Sequence, residues 1–190
     1  MLQTDINKIF GIGLSRTATS SLNQALIELG FRSIHYPNLN NLFKIVESYK
    51  AATDTTVALM YKELDKRYPN SKFILTTRDV EKWIKSCEWF FSKEKAILDA
   101  KKRKRKNLLS QQQQILRTKL YGSEFFDKES YLKGFLLHHV DVKQYFINRP
   151  DDLLIMNIGK GDGYNVLCPF LGKKLIRKKF PHLHNRRYKR

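Results

Sequence analysis

Residues 8–13 form a short apolar run, Lys8-Ile9-Phe10-Gly11-Ile12-Gly13. They are followed by a segment whose apolar positions are Leu22, Ala25, Leu26 and Leu29. The run reads as a buried strand, and the spacing of the second segment predicts an amphipathic helix over 19–29. A short extended piece follows at 33–36. Leu39, Leu42, Phe43 and Val46 recur at helical spacing within 39–49. Val57, Met60, Tyr61, Leu64 and Tyr68 make a further helical stripe, stopped by Pro69-Asn70. Residues 72–77 read as a strand, and Trp83, Ile84, Cys87, Phe90 and Phe91 as the inner face of a helix over 83–98. Residues 92–130 are polar and charged, with helix and loop expected there. A long helix is predicted over 131–147, ending before Arg149-Pro150. A strand over 153–157 and a helix over 164–171 complete the pattern.

Alternating strands and helices imply an α/β fold with a mainly parallel central sheet and right-handed crossovers. The expectation is one domain over residues 1–190, without internal repeats, in which 92–130 forms a helical lid or insert. In such sheets ligands bind at the carboxyl ends of the strands. The loop after residues 8–13 and the residues after 72–77 both fall on that edge.

Composition changes the picture in one respect. The chain has 190 residues, 42% hydrophobic, which suits an ordinary globular core, but 36 Lys and Arg against 18 Asp and Glu give a net charge of +18. The densest cluster is Lys101-Lys102-Arg103-Lys104-Arg105-Lys106, next to the low-complexity Gln111-Gln112-Gln113-Gln114. A second runs through the tail, residues 173–190. Such a field draws in polyanions. The two clusters suit nucleic acid, an anionic surface or an acidic acceptor, and equally a solvated face. The run 101–106 also suits recognition by a nuclear importer. Residues 1–7 are polar and no apolar run spans a bilayer, so neither leader nor membrane anchor is expected and the location expected is cytoplasmic. Cys87 and Cys168, with apolar neighbours, read as buried thiols rather than a bridge, and no zinc pattern accompanies them.

The chemistry concentrates in Gly11-Ile12-Gly13-Leu14-Ser15-Arg16-Thr17-Ala18-Thr19-Ser20-Ser21-Leu22. A loop between strand and helix, rich in hydroxyls and carrying one guanidinium, suits a phosphate. The amides at the helix start point outward and the helix dipole favours an anion. It lacks the Gly-Lys pair of an ATP-binding loop. It also lacks the third glycine of a dinucleotide fingerprint and the acid some twenty residues on. An ordinary strand–turn–helix with a hydroxyl N-cap has the same outline.

Residues 15–22 resemble the 5′-phosphosulfate loop of sulfotransferases that use 3′-phosphoadenosine 5′-phosphosulfate (PAPS). Phe73-Ile74-Leu75-Thr76-Thr77-Arg78-Asp79, with Ser86 eight residues beyond Arg78, resembles that family's 3′-phosphate clamp. Residues 152–157, with Gly161-Asp162-Gly163-Tyr164, Leu167-Cys168 and Phe170-Leu171-Gly172, resemble the closing strand and helix of a small branch of the family. The likeness runs from about residue 8 to residue 184. It implies a three-layer P-loop-type fold and transfer of a sulfuryl group to a hydroxyl or amine. It also implies PAPS as co-substrate, 3′,5′-adenosine bisphosphate as product, and no metal. On the same resemblance Ser15, Arg16, Thr17, Ala18, Thr19, Ser20 and Ser21 would hold the 5′ end, and Arg78 and Ser86 the 3′ phosphate. Arg16 would also meet the charge that grows on the leaving group. Two departures stand out. Ala18 replaces the usual loop glycine, a strained choice if the position needs positive φ, and Arg16 replaces the commoner lysine.

The acceptor's proton needs a base. His35, one helix beyond the loop, is the first candidate, because imidazole titrates near neutrality. Asp54 is the second, as a base or as the group that orients one; His138 and His139 are also candidates. Trp83 reads as a core anchor or as a stacking partner for adenine. The acceptor would enter against residues 38–56 and 92–130. Two other readings compete. A P-loop kinase or NTPase would prefer ATP with magnesium. A catalytically inactive basic protein on the same scaffold would bind polyanions in a salt-sensitive way.

Overall fold

The computed structural model describes residues 6–102 and 109–183, with the backbone alone over 93–102. Five short strands build the centre: β1 (Ile9–Gly11), β2 (Ser33–His35), β3 (Ala51–Thr53), β4 (Lys72–Thr76) and β5 (Leu153–Met156). They lie in the order β2-β3-β1-β4-β5, and every pairing is parallel. The eight α-helices of the described residues are α1 (Thr19–Glu28), α2 (Leu42–Glu47), α3 (Thr55–Leu59), α4 (Tyr61–Arg67), α5 (Val80–Lys102), α6 (Gln111–Tyr121), α7 (Lys128–Tyr145) and α8 (Tyr164–Phe170).

Side chains alternate across a strand, so each strand feeds two cores. Phe10, Ala52, Phe73 and Leu75 face one side, where they join Leu42, Val57, Tyr61, Trp83, Phe135 and Phe146 from α2 to α7. Ile9, Ala51, Ile74 and Met156 face the other, against Leu22, Ala25 and Leu26 of α1 and Tyr164, Leu167 and Cys168 of α8. The result is an α/β sandwich of three layers, as expected.

Several details go beyond the sequence reading. Residues 51–53 form an interior strand, β3, between β2 and β1. The single stripe over 57–68 is two helices, because Met60 (φ −107°, ψ 15°) breaks it between α3 and α4. The glutamine run is also not featureless. Ser110 caps α6 by accepting from the Gln113 amide, and the Gln113 side chain reciprocates on the Ser110 amide.

The chain leaves β1 for β2 on one side and reaches β4 on the other. The switch point of the sheet therefore lies at the carboxyl ends of β1 and β4. Among the described residues no helix is long and apolar enough to cross a membrane.

Candidate functional site

The loop of residues 12–18 leaves the sheet at that switch point. Its first requirement is closeness. A Cβ on Gly13 would stand 1.8 Å from Thr76 Oγ1 and 2.8 Å from the Thr76 carbonyl, so only glycine lets the loop pass over the end of β4. Its second is handedness. Arg16 (φ 70°) and Ala18 (φ 74°) both adopt the left-handed region, on either side of Thr17. Left-handed residues in a loop gather backbone amides into an anion-binding concavity. Ala18 is also the N-cap of α1 and has no side chain to cap it, so no capping group covers the amides of the first turn.

Four elements hold the loop. His138 on α7 donates through Nε2 to the Ile12 carbonyl at 2.8 Å. The Ser15 amide donates to the Tyr121 hydroxyl of α6 at 3.2 Å, and the Ser15 carbonyl accepts from Trp83 Nε1 of α5 at 2.9 Å. Thr17 donates to the Leu14 carbonyl at 2.7 Å. That uses its one hydroxyl proton, so Thr76 is the donor in the 2.7 Å contact between the two threonine hydroxyls.

On one flank lies a basic cluster. Arg16 Nε donates to Ser86 Oγ at 3.1 Å, and its guanidinium lies over the Phe90 ring at 4.8 Å. Arg78, just beyond β4, donates to the Arg16 carbonyl at 3.2 Å. Arg16, Arg78 and Ser86, singled out from separate parts of the sequence, therefore meet in one place. Burial pushes the neighbouring Cys87 thiol well up, against the pull of both arginines, so it stays a neutral core group.

On the other flank, at the ends of β2 and β3, His35 meets Asp54. His35 Nε2 stands 3.1 Å from Ser20 Oγ and 3.1 Å from Asp54 Oδ2, and Nδ1 stands 3.0 Å from Thr53 Oγ1. Asp54 caps α3 by accepting from the Thr55 amide at 2.8 Å, and it also bonds the Thr19 side chain. Burial raises its pKa, opposed by His35, the Thr55 amide and Thr19. Asp54 itself sits at φ 91°, a costly conformation for a residue with a Cβ. The packing of β3 against β1, where the Asp54 amide donates to the Gly11 carbonyl at 3.1 Å, holds it there.

The remaining candidates fall elsewhere. Ser21 is buried and accepts from the Leu183 amide at 3.1 Å, tying the C-terminal segment to α1. His138 is buried and its pKa is pushed down to about 4 by desolvation, with the charge of His139 adding to the effect. His139 Nδ1 donates to the Phe135 carbonyl at 2.8 Å, so Nε2 accepts from Thr77 Oγ1 at 2.9 Å; burial lowers its pKa as well. Trp83 is fully buried against Phe135, as a core anchor. Cys87 and Cys168 are both free and buried. Residues 103–106 of the basic run and 184–190 of the tail lie outside the described residues. Tyr121 and Thr53 were not singled out from the sequence, and Thr76 only as part of the strand before Arg78. No motif marks their contacts, since each reaches a partner far along the chain.

The arrangement provides amides and two guanidinium groups for a phosphate-like anion, and next to them an imidazole backed by a carboxylate. Among the described residues no group of three or more His, Cys, Asp or Glu side chains could hold a metal ion.

Comparison with known proteins bears on the family and the fold. A family described as "Sulfotransferase domain" matches residues 8–42 and 36–188. The chain belongs to this family. "Ava biosynthesis cluster protein M" of Aspergillus versicolor is 24% identical over 214 residues, spanning 93% of this chain and 80% of that protein. In fold, the chain is similar to the crystal structure of a sulfotransferase from Alicyclobacillus acidocaldarius, with TM-score 0.57 and 14% identity over 90% of this chain and 82% of that one.

Proposed function

We propose that the chain moves the sulfuryl group of PAPS onto a hydroxyl or amine acceptor, acting as one domain in which residues 109–130 wall the acceptor side. Bound PAPS supplies an activated sulfuryl group and leaves as 3′,5′-adenosine bisphosphate. The loop residues Ser15 to Ser20 and the first amides of α1 hold the 5′ end, and Arg78 and Ser86 hold the 3′ phosphate. Arg16 neutralises the charge that builds on the departing oxygen, an electrostatic role like that of arginine in phosphoryl transfer. His35 takes the acceptor's proton at Nε2. With Nδ1–H donated to Thr53, Nε2 is left without a proton of its own, and Asp54 Oδ2, 3.1 Å from that same nitrogen, stabilises the imidazolium once the proton arrives.

The observation that carries this reading is the pairing of two unlike groups on either side of one loop. Arg16 is held against Ser86 and bonded through its carbonyl to Arg78, while Ser20 stands within hydrogen-bond reach of His35. A magnesium-dependent phosphotransferase would want an acid at the end of β4, and Arg78 follows that strand instead.

Calorimetric titration with 3′,5′-adenosine bisphosphate, set against ATP with magnesium, tests the proposal. The bisphosphate is expected to bind more tightly, and Arg78→Ala to weaken it on the order of 10²-fold, as loss of a charge-assisted phosphate contact does. Preference for ATP, or an unchanged Arg78→Ala, sinks it.

A further inference from the structure

One residue past His35 the chain opens into a cleft of about 480 Å³. One wall is the segment after β2, with Tyr36, Asn38 and Asn40; the other is the start of α6, with Ser110, Gln111 and Gln112; Ile115 closes it. This is a chain in which 28% of residues are charged, yet among the described residues no charged one lines the cleft. Small-molecule sites of this size are usually lined mainly by apolar side chains. Here four amides and two hydroxyls dominate.

The walls are built to stay in place. Gln112 Oε1 accepts from the Leu39 amide at 2.8 Å, and its Nε2 donates to the Pro37 carbonyl at 3.3 Å, so one side chain clasps the opposite wall through both ends of its amide. Asn38 Oδ1 accepts from the Asn40 amide at 3.1 Å. The side chains of Asn40 and Gln111 have no hydrogen-bond partner among the described residues. Each offers a donor pair and an acceptor to whatever enters.

We infer that this cleft is the acceptor site of the reaction proposed above, and that it takes a neutral polyhydroxylated molecule of the saccharide class. The inference rests on that reaction being the right one. A hydroxyl is donor and acceptor together, and so is a primary amide; a ring carrying several hydroxyls satisfies a wall of amides where an apolar ring would leave them unpaired. Tyr36 adds an amphipathic aromatic face for the C–H face of a sugar ring. An acidic acceptor would call for arginine or lysine in the lining, and none of the described lining residues is either. In the transfer one acceptor hydroxyl loses its proton to His35 Nε2. Its oxygen forms the new bond to sulfur as the bond from sulfur to the bridging phosphate oxygen breaks, and the electron pair leaves with 3′,5′-adenosine bisphosphate.

The test separates the cleft from the donor site. Saturation-transfer NMR, without donor, would be run with maltose and methyl β-galactoside as neutral probes. Glucuronic acid and 4-nitrophenol would serve as acidic and phenolic probes. The same panel would then be offered with ³⁵S-labelled PAPS. The neutral sugars are expected to bind and to accept label. Asn40→Leu and Gln111→Leu are expected to lower sugar binding at least about tenfold, a single lost polar pairing, with bisphosphate binding unchanged. Binding only of the acid or the phenol, or sugar binding that survives both substitutions, overturns the inference while leaving the donor reading intact. Sugar binding in a protein that does not bind the bisphosphate overturns the acceptor role through failure of the donor reading. Circular dichroism of both variants confirms that lost binding is not lost folding.

Discussion

Ala18 occupies a backbone position that favours glycine. Its φ of 74° places Cβ against its own backbone, at a cost of about 1 kcal/mol relative to glycine. Replacing it removes the cost without removing any contact of a functional side chain. Ala18→Gly is expected to raise the melting temperature by roughly 2–4 °C. If melting falls instead, the left-handed conformation at this residue is wrong. Asp54 poses the complementary question. Asp54→Asn keeps the cap on Thr55 and the side-chain volume but loses the charge beside His35. It is expected to lower kcat on the order of 10²-fold and to shift the acid limb of the pH–rate profile, with bisphosphate affinity unchanged. An unaltered profile would remove Asp54 from the proton path. Arg16, Arg78 and Ser86 were singled out from the sequence, Arg16 by its place in the loop and the other two by resemblance to a known family. Their mutual contact was not, since Arg16 turns onto Ser86 and Phe90 of α5 only once β1 and β4 lie side by side.

At the level of elements, most of the sequence pattern carried over. The period of the apolar positions identifies α1, α5, α7 and α8 to within a few residues, and β1, β2, β4 and β5 likewise. What escaped is β3. Ala51-Ala52-Thr53 has no branched or aromatic run, because a strand walled by β1 and β2 under α1 has room only for small side chains. Asp54 follows from that strand, so its place beside His35 was hidden with it. The join between α7 and the loop carries its own prediction. His138 donates to Ile12 and is held neutral by burial, down to about 4. Below the ordinary histidine range the unfolded chain binds a proton that the folded chain refuses, so this group's contribution to stability is present above about pH 6.5 and is lost as pH falls toward 4. Glutamine keeps an N–H donor and does not titrate. Relative to His138→Gln, the wild-type protein is expected to lose about 3 kcal/mol more between about pH 7 and pH 4 in urea unfolding. Asp54, shifted the opposite way, is common to both proteins and cancels in the difference. Parallel losses would mean that His138 is hydrated.

For the whole molecule the net charge of +18 sets how ligands arrive. The bisphosphate is a polyanion, so its association rate is expected to fall at least about tenfold between about 0.05 and 0.5 M salt, with a dissociation rate changed much less. Stopped-flow measurement reads both. A rate indifferent to salt would show that the excess charge lies away from the entrance.

The four anchors of the loop come from Tyr121, Trp83, His138 and Thr76, residues scattered across the second half of the sheet and three helices. No stretch of chain owns the shape of residues 12–18. A peptide spanning β1 and α1 would carry every hydroxyl and the guanidinium and still have no reason to adopt that curve. Loosening of α6 or α7 would release it just as surely as damage to the loop itself. The curve of the loop is therefore a property of the whole fold, complete only when its last tertiary contacts close.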